Sequence, residues 1–483
     1  MHTNHIKRMK WGLYTLFLIA ATLFVSCGDD KIVIGEVDEF PYQSANESYA
    51  LLKHQGSVND VLNVDVRNND ARNVFVKLTK AGENDITVNL SIDPSLVSVY
   101  NKTNFTHYEL FPANLVSIDN NGTVNIAKWR AESEPVAVHF TKDNTLEGNT
   151  YLLPIRANAG SNVNISAEGQ VIYYVINVAK PIPSSAKSGW DGVSICYVEV
   201  NSNSPLNVGT YTLKDSGKPF FDICNIFAAN LNYNAETGKP YLYFNDNVQH
   251  LLANRDKYIK PLQDKGIKVC LSILPNHGGV GLLNMTNAAA KEFAMEIKAA
   301  IDAYGLDGAD FDEEWADYGN NGLPAANTTS YGRLLFEVRK LLPKPKLITV
   351  YYIGVTSAGL TNPVEGLSIG EIIDYSYYPY YNSYSTSYTA IGGLTKAQWG
   401  PYPYAFHGTN GSTVYPAIST TNINNLKNNG YGVNLMYDLR GYSETHANDA
   451  NKGIMDYSDR LTIFSRILYG EDVVAGEIFL KDW

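Results

Sequence analysis

The sequence predicts an all-β sandwich followed by an α/β architecture, a (β/α)8 barrel of the TIM type, and two patterns carry this prediction. From residue 45 to residue 179, short β-branched and aromatic runs alternate with turns rich in asparagine, aspartate and glycine. Over residues 190–483, strand-like runs instead alternate with segments of helical period, the order that a barrel of parallel strands requires. Residues 180–189 separate the two patterns and contain the prolines and serines of a linker.

The sandwich region shows no long helical period. Examples of its strand-like runs are 74–78, 86–90, 136–140 and 171–176. Nothing in residues 45–179 carries chemistry. The region resembles the β-sandwich modules of uncertain role that precede catalytic domains in Bacteroides lipoproteins, so roles as a spacer, a glycan-binding unit or a docking surface all stay open.

The barrel region contains eight strand-like runs with helical connections. These runs are 193–200, 219–228, 267–274, 306–314, 346–353, 371–378, 413–418 and 432–438. Between the third and fourth runs, Thr286 or Asn287 can cap a helix that Gly305 is placed to end. The apolar face of this helix consists of Phe293, Ile297, Ala300, Ile301 and Tyr304.

The composition excludes several classes of function. The 483 residues are 45% hydrophobic and 18% charged, as in a globular protein with two or three domains. A formal net charge of −11 argues against nucleic acid as a partner. The 34 tyrosines against 17 phenylalanines favour aromatic surfaces that stay partly hydrated, such as sugar-binding grooves.

Residues 1–26 have the features of a signal peptide. An apolar stretch, Leu13–Val25, is too short for a convincing membrane span and follows a basic segment. The basic residues are Lys7, Arg8 and Lys10. We therefore expect this segment to be removed from the mature protein.

Cys27 ends a Leu-Phe-Val-Ser-Cys sequence that resembles a bacterial lipobox. The resemblance implies cleavage before Cys27 and lipidation of its thiol, with residues 27–44 as a tether. The acidic Gly28-Asp29-Asp30 that follows is similar to the same stretch in surface lipoproteins of the Bacteroides group. We expect a lipid-anchored protein of the bacterial envelope, at the outer-membrane surface; an ordinary signal peptide is the alternative.

The other cysteines do not form a recognisable framework. Cys196, Cys224 and Cys270 each lie in an apolar, strand-like run, and their odd number does not suggest paired disulfides. The spacing of cysteine and histidine does not resemble a metal site, so we expect buried small side chains and neither a metal nor a cofactor.

Three carboxylates lie on one face of the fourth predicted strand. Side chains alternate along a strand, so Asp310, Asp312 and Glu314 point the same way. They repel each other and are costly to desolvate, which indicates shared protons or a bound ligand rather than a solvated strand end. Active sites of such barrels lie at the C-terminal ends of the strands, and Glu314 is the outermost carboxyl. A carboxyl that stays protonated there can protonate the leaving oxygen of a glycoside.

The motif D-G-x-D-x-D-x-E over residues 307–314 resembles the signature of glycoside hydrolase family 18. The resemblance implies a retaining reaction in which the 2-acetamido oxygen of the substrate attacks the anomeric carbon and forms an oxazolinium intermediate. Carried over by position, Glu314 is the general acid and then the base. Asp312 would hold the acetamide N–H, and Asp310 would share a proton with Asp312.

Two further strands resemble parts of this family. Residues 268–274 with the Pro-Asn-His-Gly-Gly that follows are similar to its third strand and loop, although chitinases usually carry a Ser-x-Gly-Gly form there. Residues 373–381 are similar to the sixth strand of the bacterial endo-β-N-acetylglucosaminidases, in which a tyrosine hydroxyl binds the acetamide oxygen. Tyr380 is the favoured candidate, but several neighbouring tyrosines are open. The eighth strand lacks the tryptophan that often floors a chitinase site.

Seven residues near the predicted mouth are expected glycan contacts, each with ordinary loop or packing structure as its alternative. They are Phe244, Asn245, His277, Trp315, Tyr375, Tyr437 and Arg440.

The resemblance implies an endo-β-N-acetylglucosaminidase that hydrolyses the β-1,4 bond between the two core GlcNAc residues of N-glycans, with high-mannose glycans favoured. A chitinase of the same family and an inactive glycan-binding barrel are the alternatives. The expected partners are N-glycans on glycoproteins and, through Cys27, a membrane, and the chain is expected to act as a monomer.

Overall fold

The computed structural model describes residues 48–57, 59–353, 359–407, 415–442 and 453–483. The predicted signal peptide, Cys27 and the tether lie outside these residues. Within the described ranges, every helix is too short or too polar to cross a bilayer.

Two sheets with a common apolar core form the N-terminal region. One sheet has the order β10-β1-β3-β8-β6, and the other has the order β2-β11-β9-β4-β7, with β5 paired to β9. The strands are β1 (Tyr49–His54), β2 (Val61–Val66), β3 (Asp70–Leu78), β4 (Ile86–Ile92), β5 (Glu109–Leu110), β6 (Val116–Ile118), β7 (Thr123–Ile126), β8 (Val136–Phe140), β9 (Thr150–Ser161), β10 (Asn164–Ile165) and β11 (Val171–Val178). Alternating buried side chains, such as Val74 and Val76, face this core. One α-helix, α1 (Ser95–Asn104), was not predicted, because none of its residues is buried and its sequence has little amphipathic period.

Strands and helices alternate in the C-terminal region. Its strands are β12 (Val193–Glu199), β13 (Tyr211–Leu213), β14 (Ile223–Asn234), β15 (Lys239–Tyr243), β16 (Lys268–Pro275), β17 (Gly308–Asp312), β18 (Leu347–Tyr351), β19 (Tyr375–Tyr377), β20 (Trp399–Gly400), β21 (Tyr404–Ala405), β22 (Val433–Tyr437) and β23 (Val473–Ala475). Its helices are α2 (Asp246–Ala253), α3 (Arg255–Tyr258), α4 (Lys260–Asp264), α5 (Asn287–Ala303), α6 (Ser330–Leu341), α7 (Ile369–Ile372), α8 (Thr420–Asn428) and α9 (Ser458–Leu468). Short 3-10 turns connect several of these elements.

The two outermost strands of the main sheet are neighbours in the chain. Its order is β20-β19-β18-β17-β16-β14-β12-β22-β21, and these neighbours pair in parallel. Only residues 401–403 separate β20 from β21, so the two ends of the sheet lie next to each other along the chain. The predicted seventh strand at 413–418 is wrong: residues 413–414 lie outside the described residues, and 415–418 are not a strand. The pairing is made at 399–405, where Pro401 and Pro403 obscure the strand pattern.

Apolar side chains fill both faces of this sheet. The larger cluster packs between the sheet and its helices, and a smaller cluster, which includes Tyr197, Tyr351 and Tyr377, occupies the other face. Cys196, Cys224 and Cys270 are buried and unpaired, as expected. Helix α5 also matches its prediction, because the Thr286 side chain accepts the N–H of Ala289 at its start.

Candidate active site

The carboxylates of β17 gather at the C-terminal end of the sheet. Asp310 and Asp312 flank the buried Phe311 and are themselves buried, whereas Glu314 lies just beyond the strand and is partly exposed. After burial, the charges of Glu314 and Asp310 raise the pKa of Asp312, so the three carboxyls lie within electrostatic reach of one another. The structure thus gathers these carboxyls at one place, and their catalytic roles stay predictions.

Three hydroxyl groups surround Asp310. Ser272 donates to Oδ2 at 2.6 Å, while Thr349 and Tyr377 donate to Oδ1 at 2.6 and 2.7 Å. Burial raises the pKa of Asp310, and these hydrogen bonds oppose that shift because they stabilise its anion. The hydroxyls of Tyr197 and Tyr377 are also bonded to each other at 2.8 Å. These donors satisfy Asp310, and the proton shared with Asp312 stays a prediction.

Asp312 is buried without a full set of partners. Burial raises its pKa well above the usual range, and the charges of Glu314, Asp310 and Glu313 raise it further. Its Oδ1 atom has no hydrogen-bond partner among the described residues. A buried polar atom left unpaired is costly, so the position is suited to a ligand that supplies the missing hydrogen bond.

Burial also raises the pKa of Glu314. The side chain keeps access to solvent and carries the raised pKa that a proton donor needs. Trp315 follows with 58% of its surface exposed and a positive φ of 61°. Because of this turn, the direction of the Trp315 side chain does not follow the strand alternation that orients Asp312.

Tyrosines form one wall beside Asp312. Tyr381 stacks on Tyr437, with ring centroids 5.2 Å apart, and lies 6.2 Å from the ring of Tyr351. After burial and the adjacent Tyr351, the charge of Asp312 contributes to the raised pKa of Tyr381. Tyr380, the predicted acetamide-binding residue, is instead 55% exposed. The geometry thus favours Tyr381 over Tyr380.

Tyr375 is the first residue of β19, whereas Tyr380 and Tyr381 follow the last residue of this strand. Besides burial, Asp374 and Asp222 raise its pKa, and Asp222 directly precedes β14. The strand therefore carries the hydroxyl away from the carboxylates, and the prediction of Tyr375 as a glycan contact is wrong.

The side chain of residue 244 takes part in packing, and that of residue 245 caps a helix. Phe244 packs edge-on against Tyr304, 6.1 Å away, in the layer between sheet and helices, so its predicted glycan contact is wrong. The Asn245 oxygen caps α2 by accepting the N–H groups of Asn247 and Val248 at 3.0 Å each. Its amide donates to Asn201, which leaves it little capacity for a sugar.

The loop after β16 lies against the segment after Glu314. The N–H of His277 donates to the carbonyl of Trp315 at 2.8 Å, and the His277 imidazole is 3.0 Å from an oxygen of Asp317. The rings of His277 and Trp315 are 5.7 Å apart. His277 and Trp315, two of the predicted glycan contacts, therefore lie together beside Glu314.

The end of β22 contributes the remaining predicted pair. Arg440 binds both oxygens of Asp438, with distances of 2.8 and 2.6 Å, and this pair follows Tyr437 directly. Glu314 contributes to the raised pKa of Tyr437, after burial and nearer charges, so the ring lies within reach of the carboxylates.

Sequence reasoning missed the residues that support the carboxylates. Ser272 and Thr349 are polar residues in the middle of apolar strands, and that interruption was the available signal. Glu313 was missed because strand alternation directs it away from the predicted face. Burial raises the pKa of Glu313 to about 7, although hydrogen bonds from Tyr318 and Leu282 oppose the shift.

Two curated relatives each match about three fifths of the chain. An endo-beta-N-acetylglucosaminidase of a Flavobacterium species is 40% identical over 293 residues, which is 60% of this chain and 84% of the relative. Endo-beta-N-acetylglucosaminidase F1 of Elizabethkingia meningoseptica is 36% identical over 291 residues, 59% of this chain and 81% of the relative. Residues 44–164 match a family of N-terminal domains.

Solved structures extend the likeness over both regions. EndoBT-3987 of Bacteroides thetaiotamicron, in complex with a Man9GlcNAc2Asn substrate, is 26% identical with a TM-score of 0.53. The match covers 89% of this chain and 97% of that one. The same protein with a Man5GlcNAc product gives a TM-score of 0.52.

Proposed function

The chain belongs to the endo-β-N-acetylglucosaminidases, and we propose that it hydrolyses the β-1,4 bond between the two core GlcNAc residues of N-glycans. The observation that carries this proposal is the intact carboxylate stack, in which a buried Asp312 with an unpaired oxygen lies between Asp310 and the partly exposed Glu314. The substrate carried by EndoBT-3987 supports the high-mannose class.

The main sheet closes into the (β/α)8 barrel that the sequence predicts. The pairing of β20 with β19 and of β21 with β22 supports closure, because the single segment 399–405 serves both ends of the sheet. Closure would direct the C-terminal ends of all strands to one mouth, where Glu314 lies. We place the catalytic domain at 190–483, after a sandwich at 45–179 and a linker at 180–189.

Glu314 acts as the acid in the first step. Its proton passes to the glycosidic oxygen as the bond from that oxygen to the anomeric carbon breaks. The acetamido carbonyl oxygen of the same sugar attacks the anomeric carbon from the other face and forms the oxazolinium ring. The ionised Glu314 then takes a proton from water, which opens the ring and restores both the acetamide and the acid.

Asp312 orients the acetamide through its unpaired oxygen. An acetamide N–H that donates to Oδ1 would supply the hydrogen bond that this buried atom lacks. The positive oxazolinium ring then favours the ionised form of Asp312, because an opposite charge lowers the pKa of a carboxyl. The hydroxyls around Asp310 keep the next carboxyl in place during this change.

Tyr381 is the proposed hydroxyl donor to the acetamide oxygen. It lies in the tyrosine wall beside Asp312, whereas Tyr380 turns toward solvent. His277, Trp315, Tyr437 and Arg440 surround the mouth and are the proposed glycan contacts.

A lipid on Cys27 would hold the enzyme at the bacterial cell surface, with the sandwich between the anchor and the catalytic region. The lipobox-like sequence and the acidic residues that follow it support this location. Labelling of the protein with a radioactive fatty acid, compared with Cys27→Ala, tests it: label in both proteins would contradict lipidation at Cys27.

Mass spectrometry of a high-mannose glycoprotein tests the activity. We expect residues 28–483 to leave a single GlcNAc on asparagine and Glu314→Gln to leave the glycan intact. Cleavage of chitin oligomers without cleavage of the glycoprotein would contradict the proposed substrate.

A further inference from the structure

Glu313 lies between the two carboxyls assigned to catalysis and faces away from them. Its hydrogen-bond partners, Leu282 and Tyr318, both belong to the apolar layer between sheet and helices, so its side chain enters that layer. It is 1% exposed, and the proposed reaction does not use it. A buried carboxyl is costly, and its presence beside Glu314 therefore requires a reason.

Both oxygens of Glu313 accept hydrogen bonds. Oε2 accepts the N–H of Leu282 at 2.6 Å, and Oε1 accepts the hydroxyl of Tyr318. The Tyr318 oxygen in turn accepts the N–H of Leu283 at 2.9 Å. A single carboxyl thus joins the loop after β16, residues 279–285, to the segment after β17.

The two segments are also closely packed. A Cβ atom at Gly281 would lie 2.3 Å from the Tyr318 oxygen and 2.6 Å from Cβ of Ala316, so only glycine fits there. The N–H of Gly279 donates to the carbonyl of Ala316 at 2.9 Å. This contact is continuous with the bond between His277 and Trp315, and Glu314 lies directly before it in the chain.

We infer that Glu313 is a positioning residue for the endoglycosidase reaction: together with Tyr318, it clamps the 279–285 loop to the segment that carries Glu314 and Trp315. The inference rests on the proposed role of Glu314 as the acid. Reactions of this kind depend on the position of the acid, and a displacement of about 1 Å can lower the rate roughly a hundredfold. Tyr318 is the ionisable group bonded to the Glu313 carboxyl, and Tyr331 and Asp312 lie within electrostatic reach of it.

Three variants grade the loss of the clamp. Glu313→Leu removes both acceptors, Tyr318→Phe removes only the phenol, and Glu313→Gln retains a carbonyl oxygen for the N–H of Leu282. We expect kcat on a high-mannose glycoprotein to fall about tenfold to a hundredfold in Glu313→Leu, with KM unchanged. The loss should be smaller in the other two variants, so that Gln partly rescues the rate.

Glu337→Leu is the matched control. Glu337 is also a buried glutamate, but it lies on α6 and pairs with Arg333 and Lys340. We expect a loss of thermal stability without a loss of kcat. An equal fall of kcat in both leucine variants would overturn the inference, because it would show that Glu313 contributes only to the stability of the fold.

Hydrogen exchange tests the clamp independently of activity. The amide of Leu283 should exchange faster in Tyr318→Phe while that of Leu282 stays protected, and both should exchange faster in Glu313→Leu. Wild-type protection of Leu282 and Leu283 in the folded Glu313→Leu protein, or its wild-type kcat, would contradict the inference. A wild-type enzyme that left the glycoprotein intact would overturn the proposed function, whereas the exchange pattern would still decide the clamp.

Discussion

The two regions of the molecule bury ionisable groups in different surroundings. In the sandwich, His54 packs edge-on against Tyr174 with ring centroids 4.7 Å apart, and burial lowers its pKa to about 4. In the sheet-and-helix region, Asp310 is also buried, but Ser272 and Thr349 donate hydrogen bonds to it at 2.6 Å each. Burial makes His54 a neutral packing residue, whereas the donors around Asp310 favour an anion. Burial alone therefore does not mark a functional site; the arrangement of donors around the buried group does.

The largest effect should follow from Glu314→Gln. Loss of the general acid is expected to lower kcat by roughly 10²–10⁴-fold while glycan binding is retained, because the amide keeps the shape of the side chain. Steady-state kinetics and titration with a high-mannose glycopeptide measure the two quantities. Tyr174→Phe, in the sandwich core, is the control and should keep the wild-type kcat. Near wild-type turnover of Glu314→Gln would contradict the assignment of the acid.

The pH dependence of the free energy of unfolding should have opposite signs for the buried groups of the two regions. The pKa of His54 is lower in the folded state, about 4, than in the unfolded chain, so its neutral form contributes stability that is lost as the pH falls from about 6.5 to 4. The pKa of Glu313 is higher in the folded state, about 7, so stability is lost there as the pH rises from about 4.5 to 7. Each group accounts for up to about 3 kcal/mol of the free energy of unfolding.

Denaturant titrations at several pH values check these signs. His54→Leu should remove the acid-side loss, and Glu313→Gln should remove the loss near neutral pH. Unchanged pH profiles in both variants would show that other groups control the stability.

Tyr377→Phe should have the next largest effect. It removes one donor to the Asp310 carboxylate, and a hydrogen bond to a charged group contributes about 1.5–3 kcal/mol, so kcat is expected to fall about tenfold or more. Tyr375→Phe is the control on the same strand, because Tyr375 lies at its other end. A similar loss in both variants would show that the tyrosines support the strand rather than Asp310.

The smallest effect is expected from Trp315→Ala. Loss of an exposed ring at the mouth should raise KM several-fold and leave kcat nearly unchanged, since aromatic contacts of this kind contribute about 1 kcal/mol. Trp129 is an exposed tryptophan of the sandwich, and Trp129→Ala is the matched control. An equal rise of KM in both variants would indicate that the sandwich also binds the glycan.

Strand periodicity explains what could be predicted from the sequence. The stack of Asp310, Asp312 and Glu314 follows from alternation along β17, and helix α5 follows from its apolar period and the cap at Thr286. The strand at 399–405 could not be recognised, because two short ladders around two prolines have no period of their own.

Side-chain roles beyond the strand ends were harder to predict. Strand β19 ends at Tyr377, so alternation no longer decides whether Tyr380 or Tyr381 turns toward Asp312. Phe244 and Tyr375 were assigned to the mouth by proximity in sequence, whereas packing against Tyr304 and the direction of the strand place them elsewhere. The positive φ of Trp315 similarly depends on long-range contacts with the loop after β16.

The most direct test of substrate assistance is the response of Asp312→Asn to a preformed glycan oxazoline. We expect hydrolysis of the glycoprotein to fall about a hundredfold or more, because the acetamide is no longer oriented and its positive intermediate is no longer stabilised. The same folded variant should still transfer the oxazoline glycan to a GlcNAc acceptor, since the step that needs Asp312 has been bypassed. Loss of both reactions, or full retention of hydrolysis, would contradict the proposed role of Asp312.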